Sequence, residues 1–185
     1  MRIGIIIGST RPGRNGLAVG KWAYGLASQR TSAEYELIDL VDYALPLLDE
    51  PVPPAMGPGT KEHTKRWAAK IASFDGYVFV TPEYNHGPSA ALKNALDFLY
   101  KEWCNKAVGF VGYGAAGATR SIEMLRAICS NLELADVRVA VGLSLIHDFE
   151  NFSTLKPGAH QEKILAQMLD QVEAWSGALQ PLRKS

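Results

Sequence analysis

The sequence of 185 residues predicts an α/β fold, a doubly wound parallel sheet with helices on both faces. Three observations support this prediction. Segments typical of strands and of helices alternate along the chain, which indicates consecutive β-α units. Two of the strand segments, residues 3–7 and 77–80, are continuous apolar runs, as in strands that are buried on both faces. Turns rich in glycine or proline follow both runs.

The first half of the chain starts with a strand, because residues 3–7 form a β-branched run with no polar face. Residues 17–28 carry apolar side chains at helical spacing and predict a helix. Residues 35–40 alternate polar and apolar side chains, which is typical of a more exposed strand. Residues 41–59 are rich in proline and predict a long surface loop.

A second helix is predicted at residues 60–73, with Thr60 as its N-cap, and a third strand at residues 76–80. The third helix is predicted at residues 88–100, with Pro88 at its first position, where proline is favoured. The rest of the chain predicts strand, helix, strand and helix, in that order, at residues 107–111, 119–129, 137–141 and 159–175. Five β-α units of this length predict one domain over residues 1–185, with right-handed crossovers.

Composition excludes several partners. Nineteen basic side chains balance nineteen acidic ones, so no net field attracts nucleic acid or an anionic membrane. We expect no signal peptide and no membrane span, because no apolar run is long enough. The two cysteines, Cys104 and Cys129, form no CxxC pair, which predicts reduced, partly buried thiols and a cytoplasmic protein. The four histidines lack metal-ligand spacing, so no metal site is predicted.

The segment GSTRPGRNG, residues 8–16, directly follows the first predicted strand and leads into a helix. Exposed backbone amides and the helix dipole favour an anion at such a position. The guanidinium groups of Arg11 and Arg14 suit phosphate, because each can donate two hydrogen bonds at once. The segment has neither the GK[ST] ending of a P-loop nor a GxGxxG pattern, so a monophosphate fits best. The alternative is a plain solvated turn.

Two further segments follow strands at the same predicted edge. TPEYNHGP, residues 81–88, is a turn held rigid by two prolines and a glycine. GYGAAG, residues 112–117, has small side chains that let a planar group lie against the backbone. A plain glycine turn is the alternative for the second segment. Together the three segments predict a phosphate socket beside a slot for a planar heteroaromatic ring.

Two individual side chains, Glu83 and His86, have two interpretations each, and a third, Trp103, has one. Glu83 is either a general base or a carboxylate that braces its turn, and the second interpretation is favoured. His86 lies either near the ligand or an interface, or in a plain loop. Trp103 follows the third predicted helix and is a candidate for a subunit interface.

These motifs carry a resemblance to a known family. GSTR at residues 8–11, PEYN at residues 82–85 and LKNALD at residues 92–97 resemble the NADPH-dependent FMN reductases. The resemblance implies a flavodoxin-like fold with strand order 2-1-3-4-5, bound FMN, and oxidation of NADPH or NADH. It implies small-molecule acceptors such as free flavin, quinones, azo compounds or metal oxyanions, and a homodimer or homotetramer.

The resemblance assigns three sets of contacts to FMN. The phosphate is held by the first segment, through Ser9, Arg11, Arg14, Asn15 and Gly16. The isoalloxazine ring is lined, largely by backbone groups, by Pro82, Glu83, Tyr84 and Asn85. Its pyrimidine end is bordered by Gly112, Tyr113 and Gly114. No catalytic acid or base is assigned, because the cofactor itself is the reactive group.

The sequence departs from the family in the phosphate segment and in the second turn. Many members have serine where this chain has Arg14, and asparagine where it has Gly16. We therefore expect Arg14 or bare amides to replace those side-chain contacts. The turn at residues 85–88 is also about one residue shorter than in some members, which affects its contact with the flavin edge.

Three functions are consistent with this sequence. The favoured one is an FMN-dependent NAD(P)H oxidoreductase. The second is a one-electron carrier of the flavodoxin type, although such carriers tend to be strongly acidic and this chain is neutral. The third is a non-enzymatic FMN-binding regulatory module of the same fold.

Overall fold

The computed structural model describes residues 1–184. Its main sheet has five strands in the order β2-β1-β3-β4-β5, all of them parallel. These strands are β1 (Arg2–Ile7), β2 (Glu34–Asp39), β3 (Gly76–Pro82), β4 (Lys106–Gly114) and β5 (Leu134–Ser144). The predicted fold class and strand order are therefore confirmed.

Five α-helices cover the two faces of this sheet. They are α1 (Gly16–Ala27), α2 (Glu62–Ala72), α3 (Ala90–Asp97), α4 (Thr119–Asn131) and α5 (Ala159–Leu179). One apolar core joins α1 and α5 to strand side chains such as Ile3 and Ile5. The other core joins α2, α3 and α4 to side chains such as Ile6. The three central strands, β1, β3 and β4, are buried on both faces, as the continuous apolar runs in β1 and β3 predict.

The starts of two helices differ from the prediction. The first residue of α3 is Ala90 and not Pro88. Ser89 is the N-cap, because its Oγ accepts a hydrogen bond from the Leu92 amide at 3.2 Å. Thr60 is not the N-cap of α2, since Lys61 occupies that position. The Thr60 amide and hydroxyl instead donate to the Glu50 carboxylate, at 3.0 and 2.9 Å.

Trp103 is a core residue, so its prediction as an interface residue is wrong. Its side chain is 1% exposed within one chain. The indole N–H donates to the Leu96 carbonyl at 3.2 Å, and the ring meets Tyr77 and Phe79 edge-on. A turn after α3 folds the indole back under the sheet, which the sequence pattern alone does not indicate.

A small hairpin after β5 was not predicted from the sequence. It consists of β6 (Phe149–Glu150) and β7 (Thr154–Leu155), which pair antiparallel. Strands of two residues are too short to give a periodic signal. The hairpin lies between β5 and α5 in the chain.

The two cysteines are free, with Cys104 half-buried and Cys129 buried, which confirms the predicted partly buried thiols. Burial raises the pKa of both thiols, so neither is activated as a nucleophile. Within residues 1–184, none of the helices is long and apolar enough to cross a membrane.

Candidate FMN site

Three chain segments meet at the carboxyl edge of the sheet. The β1–α1 loop (residues 8–15) is joined to β3, because the Gly8 amide donates to the Val80 carbonyl at 2.8 Å. The end of β3 pairs with the end of β4, with Thr81 opposite Gly112 and Pro82 opposite Tyr113. The three segments predicted to form the site are therefore adjacent in space, at the edge where such sheets bind ligands.

The β1–α1 loop contains a cluster of hydroxyl and guanidinium groups. The Ser9 Oγ is fully buried and shares a hydrogen bond with the Tyr84 hydroxyl at 2.9 Å. The Arg11 Nε donates to the same Tyr84 hydroxyl at 3.3 Å, and the Arg11 amide donates to the Ser9 Oγ at 3.4 Å. Tyr84 thus reaches the predicted phosphate loop with its side chain, whereas the sequence predicted mainly backbone contacts from it.

The N-terminus of α1 is open to an anion. Its first turn contains no acidic residue, and the side chain of the N-cap residue, Asn15, does not cap the helix. The first backbone N–H groups of a helix have no intrahelical partners. They therefore present donors and a positive dipole end beside Ser9 and Arg11.

Tyr113 provides a direct test of whether this loop fits a phosphate. Its side chain is buried against Gly16, where an added Cβ would lie 2.6 Å from the Tyr113 hydroxyl. That hydroxyl is buried and has no hydrogen-bond partner within residues 1–184. Burial raises the pKa of Tyr113, so the phenol keeps its proton and can donate it. An acceptor such as a phosphate oxygen would satisfy this donor, so these residues fit the phosphate of FMN.

The side chains of Tyr113 and Arg14 make contacts that the sequence did not predict. The prediction set Tyr113 at the pyrimidine end of the ring, but its hydroxyl lies against Gly16 at the start of α1. Arg14 forms an ion pair with Asp39 at the end of β2. This pair holds β2 against the loop. Arg11, in contrast, bonds to hydroxyl groups beside the helix N-terminus.

The turn after β3 is rigid for a specific reason. The Tyr84 amide donates to the Gly87 carbonyl at 2.9 Å, and the Gly87 amide donates back at 3.0 Å. Between them, Asn85 and His86 have positive φ angles of 50° and 69°, as a type I′ turn requires. The Tyr84 amide is therefore used within the turn. His86 is an exposed residue of this turn.

Glu83 braces its turn against α4, as the favoured interpretation predicts. Its nearly buried carboxylate accepts hydrogen bonds from the Arg120 amide at 3.1 Å and from the Arg120 Nε at 2.6 Å. Burial alone would raise the pKa of Glu83, but the bonds from Arg120 outweigh it and lower that pKa. A carboxylate that is ionised and accepts two hydrogen bonds from Arg120 is poorly suited to act as a general base.

The glycines at the end of β4 have two different roles. A Cβ on Gly112 would lie 2.6 Å from the Gly117 carbonyl, so this glycine permits the close approach of α4 to the sheet. A Cβ on Gly114 would meet the Glu83 Cβ at 3.5 Å, an ordinary contact. Gly114 therefore lies in ordinary van der Waals contact with the β3 turn, and it is buried at the end of β4. Both residues belong to β4 rather than to a loop, because β4 pairs with β5 as far as Gly114 and Ser144.

Sequence reasoning missed one contact of the β1–α1 loop. The Asn15 Nδ2 donates to the Phe152 carbonyl at 2.8 Å, across the tip of the β6–β7 hairpin. The two residues are 137 positions apart, and Phe152 lies outside the predicted site segments. In residues 1–184, no group of three or more His, Cys, Asp or Glu side chains is arranged to hold a metal ion.

Comparison with known proteins identifies the family. A model of the NADPH-dependent FMN reductases matches residues 1–148, which is most of the chain. The chain belongs to this family. The match confirms the family predicted from the motifs. It also confirms the predicted cofactor, FMN, and the predicted electron donor, NAD(P)H.

Curated relatives agree with this family, and a solved structure agrees with the fold. An NAD(P)H-dependent FMN reductase from a Nectria species is 46% identical over 130 residues, which cover 67% of this chain but only 65% of the relative. An NAD(P)H-dependent FMN reductase from Schizosaccharomyces pombe is 40% identical over 149 residues, which cover 80% of this chain and 74% of the relative. FerB, a flavoenzyme NAD(P)H:(acceptor) oxidoreductase from Paracoccus denitrificans, has a TM-score of 0.74 at 20% identity, covering 96% of this chain and 97% of that chain. The last likeness supports the flavodoxin-like fold.

Proposed function

We propose that this chain is an FMN-dependent NAD(P)H oxidoreductase that reduces a small-molecule acceptor such as free flavin, a quinone, an azo compound or a metal oxyanion. The observation that supports it best is the unsatisfied Tyr113 hydroxyl beside Ser9, Arg11 and the open N-terminus of α1. These groups together offer hydroxyl, guanidinium and amide donors to one phosphate. The relatives are named NAD(P)H-dependent FMN reductases, which supports electron transfer from NAD(P)H to the flavin.

In this proposal the protein binds and orients the cofactor. Ser9, Arg11, Tyr113 and the amides at the start of α1 hold the phosphate, while Asn15 and Gly16 shape that end of the site. When bound there, FMN would supply the redox chemistry, which is hydride transfer from NAD(P)H and electron transfer to the acceptor. The slot for its ring lies between two rigid segments, one formed by Pro82, Glu83, Tyr84 and Asn85 and the other by Gly112, Tyr113 and Gly114.

Arg14 contributes less to phosphate binding in this proposal than Arg11 does. The ion pair with Asp39 occupies part of its guanidinium group. No catalytic acid or base is proposed, because the one carboxylate of the turn, Glu83, is paired with Arg120.

The proposal extends to the oligomeric state and the cellular location of the protein. We propose a homodimer or homotetramer, because the proline-rich loop exposes large apolar side chains such as Leu47 and Met56. Two free cysteines support a reducing, cytoplasmic location. A single domain over residues 1–185 and the absence of nucleic-acid partners remain predictions.

Anaerobic spectroscopy tests the proposed function against its alternatives. The protein is loaded with FMN, and NADPH or NADH is added while the visible flavin absorbance is followed. An oxidoreductase bleaches rapidly with at least one of the two donors and regains its colour when a quinone is added. A one-electron carrier is bleached by dithionite but not by NAD(P)H. A protein that does not bind FMN at micromolar concentration contradicts both functions.

A further inference from the structure

The β6–β7 hairpin is firmly anchored at its base. Asp148, which is buried, accepts hydrogen bonds from the Ser144 amide at 2.7 Å and from the Gln161 Nε2 at 2.8 Å. The Asp148 carbonyl accepts from the Lys156 amide at 2.7 Å. Phe149 is buried in the core beside α1 and α5. The base of the hairpin is therefore fixed to the sheet and to α5.

The tip of the hairpin has a strained backbone and an exposed aromatic ring. Asn151 and Phe152 both have positive φ angles, of 49° and 56°. This left-handed conformation is unfavourable for a bulky L-residue such as phenylalanine. The Phe152 side chain is 66% exposed, so core packing does not compensate for the strain. The Ser153 amide donates to the Glu150 carbonyl at 3.1 Å, so Asn151 and Phe152 are the central residues of a tight turn, which accounts for their positive φ angles.

A hydrogen bond holds the tip against the β1–α1 loop. The Asn15 Nδ2 donates one of its two N–H groups to the Phe152 carbonyl at 2.8 Å. Asn15 immediately precedes α1, so its side chain lies at the helix end where the phosphate is proposed to bind. The second N–H of the same amide group remains for a phosphate oxygen. One side chain can therefore contact both the cofactor and the hairpin.

We propose that Asn15 is a positioning residue that couples the FMN phosphate to the β6–β7 hairpin, so that the hairpin closes the phosphate end of the site and slows the release of FMN. This inference rests on the proposed function, which places the phosphate at the β1–α1 loop. Coupling between two binding events is reciprocal. FMN therefore orders the tip of the hairpin, and the ordered tip retains FMN.

Hydrogen exchange tests the coupling in the full-length protein. Exchange of the amides of residues 149–155 is measured with no ligand, with saturating FMN and with saturating riboflavin, which lacks the phosphate. We expect FMN to slow exchange at the tip more than riboflavin does, and Asn15→Ala to remove this difference. Equal protection by the two ligands, or FMN-specific protection that persists in Asn15→Ala, overturns the proposal.

Release kinetics give a second measurement, with a matched control. A hydrogen bond to a charged group corresponds to at least about tenfold in affinity, so Asn15→Ala should release FMN about tenfold faster and riboflavin at an unchanged rate. Phe152→Gly keeps the carbonyl and suits the left-handed backbone, so it should retain the FMN-specific protection. If Phe152→Gly loses that protection, the ring rather than the Asn15 bond is responsible, and the proposal is wrong.

Flavin fluorescence in the same samples distinguishes a failure of the proposed function from a failure of the proposed role of Asn15. If FMN does not bind at all, the proposed function itself fails. If FMN binds normally and the hairpin is indifferent to it, only the role of Asn15 fails.

Discussion

Replacing Arg11 by alanine should weaken the binding of FMN by about 10- to 150-fold, since a hydrogen bond to a charged group contributes roughly 1.5–3 kcal/mol. In the structure, the Arg11 Nε donates to the Tyr84 hydroxyl at 3.3 Å, beside the open N-terminus of α1, where the phosphate is proposed to bind. Riboflavin has the same ring and ribityl chain but no phosphate. Its dissociation constant should therefore change by less than about twofold, as for a substitution away from the ligand. Fluorescence titration of both ligands gives the two constants.

A lysine at the same position serves as the control. Arg11→Lys keeps the positive charge but loses the planar fork that binds two oxygens at once. Its FMN affinity should lie between those of the wild type and Arg11→Ala. If both variants weaken FMN and riboflavin equally, the phosphate does not lie at Arg11.

Replacing Glu173 by glutamine should have the largest effect on the stability of the fold. The Glu173 carboxylate is 11% exposed and accepts hydrogen bonds from the Arg30 Nε at 2.7 Å, the Tyr35 hydroxyl at 2.6 Å and the Ser32 hydroxyl at 2.7 Å. These partners come from β2 and from the segment before it, while Glu173 lies in α5. Removing the charge leaves Arg30 partly unpaired, so we expect the free energy of unfolding to fall by about 3 kcal/mol. Urea denaturation of the FMN-free protein measures it.

The pH dependence of this effect has a defined sign. Burial alone would raise the pKa of Glu173, but the bonds from Arg30, Tyr35 and Ser32 outweigh it and lower the pKa to about 2 from an ordinary value of 4.5. A carboxylate whose pKa falls on folding stabilises the fold above its unfolded pKa. The difference between wild type and Glu173→Gln should therefore be constant above about pH 5, and shrink as the pH falls from there towards 2.

Asp170 offers a matched control on the same helix. It contacts Arg30 through a single ion pair, and its side chain is mostly exposed. Asp170→Asn should therefore lower the free energy of unfolding by no more than about 1 kcal/mol, as for other surface ion pairs. Equal effects of the two substitutions would show that Glu173 is no more than a surface charge.

The main architecture follows from the sequence because its signals are local. Continuous apolar runs such as residues 3–7 identify strands buried on both faces, and the turns after β1, β3 and β4 could be assigned to one sheet edge. The helix starts were less accurate: Pro88 was predicted as the first residue of the third helix, whereas α3 begins at Ala90 with Ser89 as its N-cap.

The details of the site depend on contacts between distant residues, which periodicity does not reveal. The direction of the Tyr113 side chain is set by which face of β4 packs on α1. The pairing of Arg14 with Asp39 depends on how β2 lies beside the β1–α1 loop. The contact of Asn15 with Phe152 needs a hairpin whose strands are two residues long. Each of these features follows only from the three-dimensional arrangement.

A crystal structure of the protein with bound FMN tests the central claim most directly. The account predicts that the phosphate lies at the N-terminus of α1, within hydrogen-bonding distance of Ser9, Arg11 and the Tyr113 hydroxyl. It predicts that the ring lies between the turn after β3 and the end of β4, close to Asn85 and Gly114. A phosphate bound elsewhere, with the Tyr113 hydroxyl still unpaired, would contradict it.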